Sequence, residues 1–290
     1  MNTSAEAKRR TPPTRRFAAL RRSRSAKPGQ AYGVPGQGDT LWLSFASVVV
    51  LIFAWWLVTT MGWVKPLFLP SPGAVAQKFL DVARDGFTNT PFWQHIAISA
   101  ARVFGAFLLA CVVGIPLGLA MGMSPAIRGL LDPPIEFYRP IPPLAYLPLM
   151  IIWFGIGELS KVLLIFLSVF APVALGARAG VKSAAIEQIH AAYSFGASRW
   201  KVLCHVILPA SLPEILTAMR IGIGFGWTTL VAAEMIAATE GLGYMVLSAS
   251  QFLQTSTVIM GIVVIAAIAY LFDMLMRLIE RRIVPWKGKM

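Results

Sequence analysis

The sequence contains long stretches of mostly apolar residues, several of which run without a charge for nearly the length of a membrane-spanning helix. Hydrophobic side chains make up 57% of the 290 residues, and charged side chains make up 13%. A helix needs about 20 apolar residues to cross the hydrocarbon core of a bilayer. Backbone groups in lipid must be satisfied within the segment, and continuous runs lack the alternation of barrel strands, so we expect an all-α polytopic membrane protein.

The apolar stretches predict six transmembrane helices. The first is the clearest, because it carries no charge and has tryptophans where an interface belt would hold them. The expected spans are residues 41–61, 97–123, 131–156, 162–177, 218–239 and 255–276. We therefore expect a basic, disordered tail at residues 1–40 and a membrane domain at residues 41–290, which contains one long polar loop at about residues 182–212.

The net charge of +13 is concentrated at the two ends of the chain and in this polar loop. Nine of the 26 Lys and Arg residues lie in residues 1–40, and five more lie from Arg277 onward. Six spans put both termini and the loop on one side, and the positive-inside rule makes that side the cytoplasm. Such a tail is attracted to anionic membrane lipid, so we expect no nucleic acid as a partner.

The polar loop has the pattern of two short helices joined by a tight turn. Apolar residues from Ala185 to Tyr193 recur at three- and four-residue spacing, which predicts a helix with one apolar face that ends at Gly196. Ser198 can cap a second helix, which Pro209 is expected to close. An ordinary amphipathic surface helix would show the same periodicity. Small or projecting residues that favour contact with a partner protein are Ala191, Ala192, Ala197, Ser198 and Arg199.

Charged residues and prolines inside the apolar stretches are candidates for the lining of a translocation pathway or gate. Glu136 and Arg139 are three residues apart and can form a pair, and Pro140 belongs to a proline-rich stretch whose broken backbone requires protein or water around it. Glu234 has no basic residue within four positions, so we expect it to face water or a dimer centre. A buried, neutral carboxylic acid is the alternative for Glu234.

Glycines at four-residue spacing predict close helix packing, because small residues let helices approach one another. The packing residues are Gly114, Gly118, Gly122, Gly222 and Gly226.

Enzymatic and metal-binding motifs such as HExxH, GxSxG and GxxxxGK[ST] are absent from the sequence, so we expect no catalytic residues, no bound metal and no ATP hydrolysis by this chain itself.

The polar loop resembles the membrane subunits of bacterial ABC importers. Their pattern E-A-A-x3-G-x9-I-x-L-P is matched at six of seven positions if valine is allowed for isoleucine, and His190 replaces the glutamate. Longer strings at residues 67–72, 131–161, 212–245 and 281–286 are similar to the taurine and sulfonate permease branch. The resemblance implies docking on an ATPase through His190, Ala191, Ala192, Gly196, Ala197, Ser198, Arg199, Val206, Leu208 and Pro209.

This resemblance implies a type I, MetI-like membrane domain in the inner membrane of a bacterium. It implies two copies of the permease, two copies of a cytoplasmic ATP-binding subunit and one periplasmic substrate-binding protein. ATP and Mg would be bound by the ATPase partner and no cofactor by this chain. The implied cargo is taurine or a related small sulfonate, with aliphatic sulfonate, nitrate, bicarbonate or a thiamine precursor as alternatives.

Two readings from other classes stay open on the residues alone. A proton-coupled secondary transporter could use Glu136, Glu234 or Asp273 as proton carriers, although such proteins normally contain internal repeats of several spans. A membrane-embedded enzyme is the other alternative, and it lacks a recognisable nucleophile and base.

Overall fold

The computed structural model describes residues 41–285, in which the only β-type pairing is one isolated bridge between Phe87 and Thr90. The all-α prediction is confirmed, and the predicted disordered tail at residues 1–40 lies outside the described residues. The chain divides into two compact units after Leu51: the first includes residues 41–51, at the start of the first helix, and the second includes residues 52–285 with the remaining described elements. The helices are α1 (Leu41–Thr60), α2 (Pro72–Asp85), α3 (Phe92–Met123), α4 (Pro125–Tyr138), α5 (Pro143–Phe154), α6 (Glu158–Val181), α7 (Ile186–Ser194), α8 (Arg199–Val202), α9 (Leu208–Ala237), α10 (Leu242–Gln251) and α11 (Thr255–Ile283).

Five helical segments in residues 41–285 are long and apolar enough to cross a membrane, whereas the sequence predicts six spans. The difference is the predicted span at residues 131–156, which forms the two shorter helices α4 and α5. Proline removes a backbone donor and disfavours helix in the residue before it, so Pro140, Pro142 and Pro143 interrupt the helix after Arg139. The five segments that are long and apolar enough are Trp42–Thr60, Phe92–Met123, Glu158–Val181, Arg199–Ala237 and Thr255–Ile283.

Helices α3, α6 and α9 form the centre of the unit at residues 52–285. Val103 on α3, Val169 on α6 and Leu230 on α9 are completely buried within one apolar cluster. Trp227 belongs to the same cluster and packs edge-on against Phe104, with the ring centres 6.5 Å apart. Helix α3 is uncharged from Val103 to its last residue. One face of this helix can therefore pack against α6 and α9 while another face contacts lipid.

The glycines that the sequence predicts to pack, Gly114, Gly118 and Gly122 on α3 and Gly222 and Gly226 on α9, lie where those helices touch α6. A Cβ atom at Gly118 would overlap the carbonyl oxygen of Ala174, and one at Gly122 would overlap the side chain of Val181. Gly222 is less tight, since its added Cβ would lie 3.2 Å from Cγ1 of Val169. A larger residue at Gly118 would therefore force α3 away from α6.

Charged residues on α6 mark two levels of the fold. Lys161 and Arg178 are 17 residues apart, a distance of about 26 Å along a helix. This is close to the roughly 30 Å thickness of the hydrocarbon core. We call the level of Lys161 the first charge level and the level of Arg178 the second charge level.

Gly118→Leu is expected to lower the stability of the folded protein by about 1–3 kcal/mol or more, because the new side chain has no room against α6. The measurement is thermal unfolding of the purified full-length protein in detergent. Gly105→Leu is the matched control, since a Cβ at Gly105 meets no atom within 4 Å. An unfolding midpoint for Gly118→Leu equal to that of the control would contradict this packing.

Candidate functional site

The polar loop forms a helix, a glycine turn and a second helix, as its sequence predicts. Helix α7 ends at Ser194, and Gly196 follows with a φ of 78°, a conformation that glycine adopts without steric cost. Ser198 caps α8, because its Oγ accepts a hydrogen bond from the backbone N–H of Lys201 at 3.4 Å. The backbone conformation of Gly196 and the capping hydrogen bond of Ser198 therefore fix the turn.

The second helix of the loop does not end at Pro209, so that prediction is wrong. Helix α8 passes through a π-helical turn at Leu203–Ile207 and continues directly into α9. Pro209 lies in the first turn of α9, where the missing N–H is tolerated. The wider π turn displaces the carbonyl groups that the proline ring would otherwise meet. The loop is thus joined rigidly to a membrane-spanning helix.

The outer surface of this loop exposes large apolar side chains. Phe195 is 91% exposed and Trp200 is 71% exposed, while α7 buries none of its own residues. Val202 and Ile207 are buried and hold the second half of the loop against the rest of the fold. The other predicted contact residues divide into exposed His190, Ala191, Gly196, Ser198 and Arg199 and half-buried Ala192, Ala197, Val206, Leu208 and Pro209.

The predicted pathway residues Glu136 and Arg139 lie at the break between α4 and α5. Their side chains approach to 3.8 Å and are about half exposed, so this is a weak pair. Glu136 also lies 3.6 Å from Arg178, which forms a closer ion pair with Asp132. The broken segment is therefore attached to α6 at the second charge level, and Pro140 follows directly in the loop.

Glu234 is completely buried and paired, so the prediction that it faces water or a dimer centre is wrong. Its Oε1 accepts a hydrogen bond from Nη1 of Arg102 at 2.6 Å. Ser99 donates to the same carboxylate at 2.8 Å, and the backbone N–H of Gly243 donates to Oε2 at 2.8 Å. The carboxylate therefore has an arginine and two further hydrogen-bond donors as partners within the fold.

Arg102 connects four parts of the fold at the first charge level. Beyond Glu234 on α9, it donates to both carboxylate oxygens of Glu158 on α6, at 2.6 and 2.7 Å. It also donates to the backbone oxygen of Glu240 at 2.9 Å, and Lys161 donates to Glu158 at 2.8 Å. Two basic and two acidic side chains thus balance in one cluster, which we call the Arg102 cluster.

A buried histidine extends the Arg102 cluster toward the loop after α9. Nδ1 of His95 accepts a hydrogen bond from the backbone N–H of Gly241 at 3.1 Å, and Nε2 lies 3.3 Å from the carbonyl oxygen of Phe87. These partners assign a neutral ring with the proton on Nε2. Gly241 has a φ of 125°, and a Cβ there would overlap the carboxylate of Glu234. The cluster therefore requires glycine at this position.

Sequence reasoning missed Arg102 and Ser99 as partners of Glu234, and it missed His95 as a partner of the loop after α9. Their separation from Glu234 is 132 residues for Arg102 and 135 for Ser99, so no local spacing joins them. The one available signal is that a lone acid in an apolar helix requires a basic partner from another helix. Within residues 41–285, no group of three or more His, Cys, Asp and Glu side chains could hold a metal ion.

Arg102→Met is expected to destabilise the fold by about 3–5 kcal/mol, since it leaves the charge of Glu234 buried without its partner. Combining it with Glu234→Met should recover most of that loss, because an apolar pair can replace a buried ion pair. Arg139→Met, at an exposed pair, should cost less than about 1 kcal/mol. Denaturant unfolding of the four proteins measures these differences, and equal effects of Arg102→Met and Arg139→Met would contradict the cluster.

Comparison with known proteins gives related membrane transport subunits over most of this chain. Residues 114–285 match the family described as "Binding-protein-dependent transport system inner membrane component". The chain is 57% identical over 248 residues to the taurine transport system permease protein TauC of Escherichia coli (strain K12), covering 85% of this chain and 90% of that protein. It is 36% identical over 238 residues to the putative aliphatic sulfonates transport permease protein SsuC of the same strain, covering 82% and 89%.

A solved structure of the MetNI methionine ABC transporter, in an inward-facing conformation, has a similar fold. The TM-score is 0.58 at 18% identity, and the match covers 66% of this chain and 97% of that chain. The likeness supports the helical architecture alone, whereas the family match and the identities above concern the sequence itself. This chain therefore belongs to the family of binding-protein-dependent transport system inner membrane components.

Proposed function

We propose that this chain forms the membrane pathway of an ATP-driven importer for taurine or a closely related small sulfonate. The observation that carries the proposal is the 57% identity to TauC, which extends over 85% of this chain and 90% of that protein. Identity to sulfonate permeases is lower, at 33–36%, and identity to the bicarbonate transport system permease CmpB of Synechococcus elongatus is 29%. Taurine is therefore the first cargo to test, and the role is transport and not enzymatic chemistry.

The loop at residues 186–207 is the proposed contact with a separate ATP-binding subunit. Exposed aromatic side chains such as Phe195 and Trp200 are costly in water and are typical anchors in protein interfaces. The continuous helix from α8 through the π turn into α9 would transmit a displacement of the loop into the membrane domain. His190 replaces the glutamate of the family pattern, so aromatic contacts supply the main affinity in this proposal. ATP and Mg would be bound by the partner.

A complete importer would contain two copies of this permease, two ATP-binding subunits and one periplasmic binding protein. Helices α4 and α5 would together serve as the sixth, broken crossing. In support, α4 pairs with Arg178 at the second charge level, while α5 packs Met150 near Leu164 and ends shortly before Glu158 at the first charge level. Six crossings place both termini in the cytoplasm, and Glu136, Arg139 and Pro140 would lie beside the pathway at the break.

A proton-coupled secondary transporter has less support from the structure. Its candidate proton carriers are Glu136, Glu234 and Asp273, and each has an arginine within ion-pair distance. Each carboxylate thus has a cationic partner within the fold, which accounts for its place beside apolar segments without a transported proton. The ATP-driven importer remains the proposal.

Transport by the assembled protein tests the proposed function directly. Proteoliposomes that contain this chain and its ATP-binding subunit should accumulate taurine when ATP is inside and the binding protein outside. A proton ionophore should leave that uptake unchanged. Uptake driven by a proton gradient, in vesicles without ATP or the ATP-binding subunit, would contradict the proposal.

Phe195→Asp is expected to weaken association with the ATP-binding subunit by more than about tenfold, because it places a charge in the proposed apolar contact. Phe252→Asp is the matched control: Phe252 is 72% exposed and lies in the loop after α10, beyond the far end of α9. Co-purification of the two subunits measures the effect. Normal recovery of the complex with Phe195→Asp, at normal levels in the membrane, would reject this contact.

A further inference from the structure

A groove of about 410 Å³ runs between α9 and α11. Most of its lining is apolar, and its polar groups converge at one end around Arg220 and Asp273. A predominantly apolar cavity with a few convergent polar groups is the usual form of a small-molecule site. The lining residues are Arg220, Ile223, Gly224, Trp227, Thr228, Val231, Ile265, Ala269 and Asp273.

The charged end of this groove lies within the depth of the membrane. Helices α6 and α9 pack with Gly176 against Ala218 and with Val169 and Val173 against Gly222, so Arg220 is level with about residue 173 of α6. That position is about 8 Å inside the second charge level and about 18 Å from the first. Charged side chains at such depth are costly in hydrocarbon and mark sites that face protein or water.

Arg220 and Asp273 are only partly sealed from their surroundings. Their side chains are 26% and 29% exposed, although Nε of Arg220 donates to Asp273 at 3.1 Å. Arg220 also donates through Nη1 to Glu280 at 3.2 Å, which leaves its second terminal nitrogen without an intramolecular acceptor among the described residues. Partly exposed charges at this depth face protein or water and not lipid, which makes the groove suitable for a polar ligand.

Trp227 forms part of the wall of the groove. Its side chain is 5% exposed, and its indole Nε1 is buried with no hydrogen-bond acceptor in residues 41–285. Because this nitrogen has almost no surface open to the groove, a ligand there would contact the ring of Trp227 and not its N–H. Thr228 lies one residue further, and its hydroxyl oxygen keeps free lone pairs for an ammonium group.

We propose that this groove binds a small zwitterion during its passage through the membrane, with the anionic group at Arg220 and the cationic group at Asp273. The inference deepens the proposed function and rests on it. Taurine has this chemistry, since a sulfonate and an ammonium are joined by two methylene groups that match the apolar walls. Gly224 keeps the groove open, because a Cβ at that position meets no atom within 4 Å.

The charge balance of the site favours a zwitterion over a simple anion. Arg220 and Arg277 are matched by Asp273 and Glu280, and these four groups are joined by ion pairs. An added anion meets two carboxylates close to Arg220, and this repulsion is strong where the dielectric is low. A zwitterion brings its own cation for Asp273, so its net charge leaves the balance unchanged. Nitrate or bicarbonate would lack that compensation.

Gly224→Leu tests occupancy of the groove, and Gly105→Leu is the matched control at another open helical glycine. Saturation-transfer NMR would measure binding of taurine to the purified full transporter, without the periplasmic binding protein. Taurine should bind the wild type and the control, and Gly224→Leu should weaken binding by about tenfold or more. Equal taurine binding in all three proteins, or none in the wild type, overturns the proposed site.

Asp273→Asn tests the chemical class of the ligand. The probes are taurine and ethanesulfonate, which lacks the ammonium group. The wild type should prefer taurine, and the variant should shift the ratio of the two affinities toward ethanesulfonate by about fivefold, as expected for loss of one charge contact. Thermal unfolding of the variant first shows whether it is folded like the wild type. In the folded variant, an unchanged ratio of the two affinities rejects the assignment of Asp273.

Other occupants of the groove give different results in the same proteins. If Gly224→Leu lowers the binding of phosphatidylglycerol and leaves the binding of taurine unchanged, the groove is a lipid site and the proposal fails. If Gly224→Leu disrupts the permease dimer and leaves taurine binding intact, the groove is a contact between copies and the proposal also fails. Failure in either form leaves ATP-driven taurine uptake by the wild type untouched, so the proposed function is judged separately.

Discussion

The buried contact between Arg102 and Glu234 is the interaction on which the arrangement of the helix ends depends. In a low-dielectric interior, an ion pair of this kind contributes little net stability, but removal of one partner is severe. Arg102 therefore holds α3, α6, α9 and the loop after α9 in a fixed relation, because it makes four hydrogen bonds to them at once. Glu158, which is 61% exposed at the side chain, connects this buried arrangement to the protein surface.

Close helix packing supplies the second constraint. In lipid, apolar burial between helices gives no advantage over contact with acyl chains, so helices associate through close approach and polar contacts. Gly118 and Gly176 provide that approach on the two sides of α6, against Ala174 and Ala218 respectively. The ion pairs at the two charge levels then fix the register of helices that could otherwise slide along one another.

Much of the fold could be predicted because the bilayer makes apolar length a strong signal. The uncharged run in residues 41–61 and the small-residue spacing from Gly114 to Gly122 both correspond to features of the structure. The turn at Gly196 and the cap at Ser198 were also predictable, since their chemistry depends on neighbouring residues. Local sequence, however, does not show how a proline is accommodated: the π turn before Pro209 replaces the expected helix end.

The candidate sites were less predictable, because their residues come from distant parts of the chain. The environment of Glu234 depends on Arg102 and Ser99, more than 130 residues earlier, and its isolation in the sequence suggested a water-facing position. The Arg220–Asp273 pair joins α9 to α11 across 53 residues. Such pairs can be identified only once the packing of the helices is known.

A surface loop is joined by a continuous helix to the membrane domain, and we propose that a partner outside the bilayer acts through this connection. Photo-cross-linking from a reactive amino acid placed at exposed Ser198 in the assembled transporter tests this claim most directly. The account predicts a covalent product with the ATP-binding subunit, with a yield that changes when ATP binds. Products with lipid alone, in a complex that still transports, would contradict it.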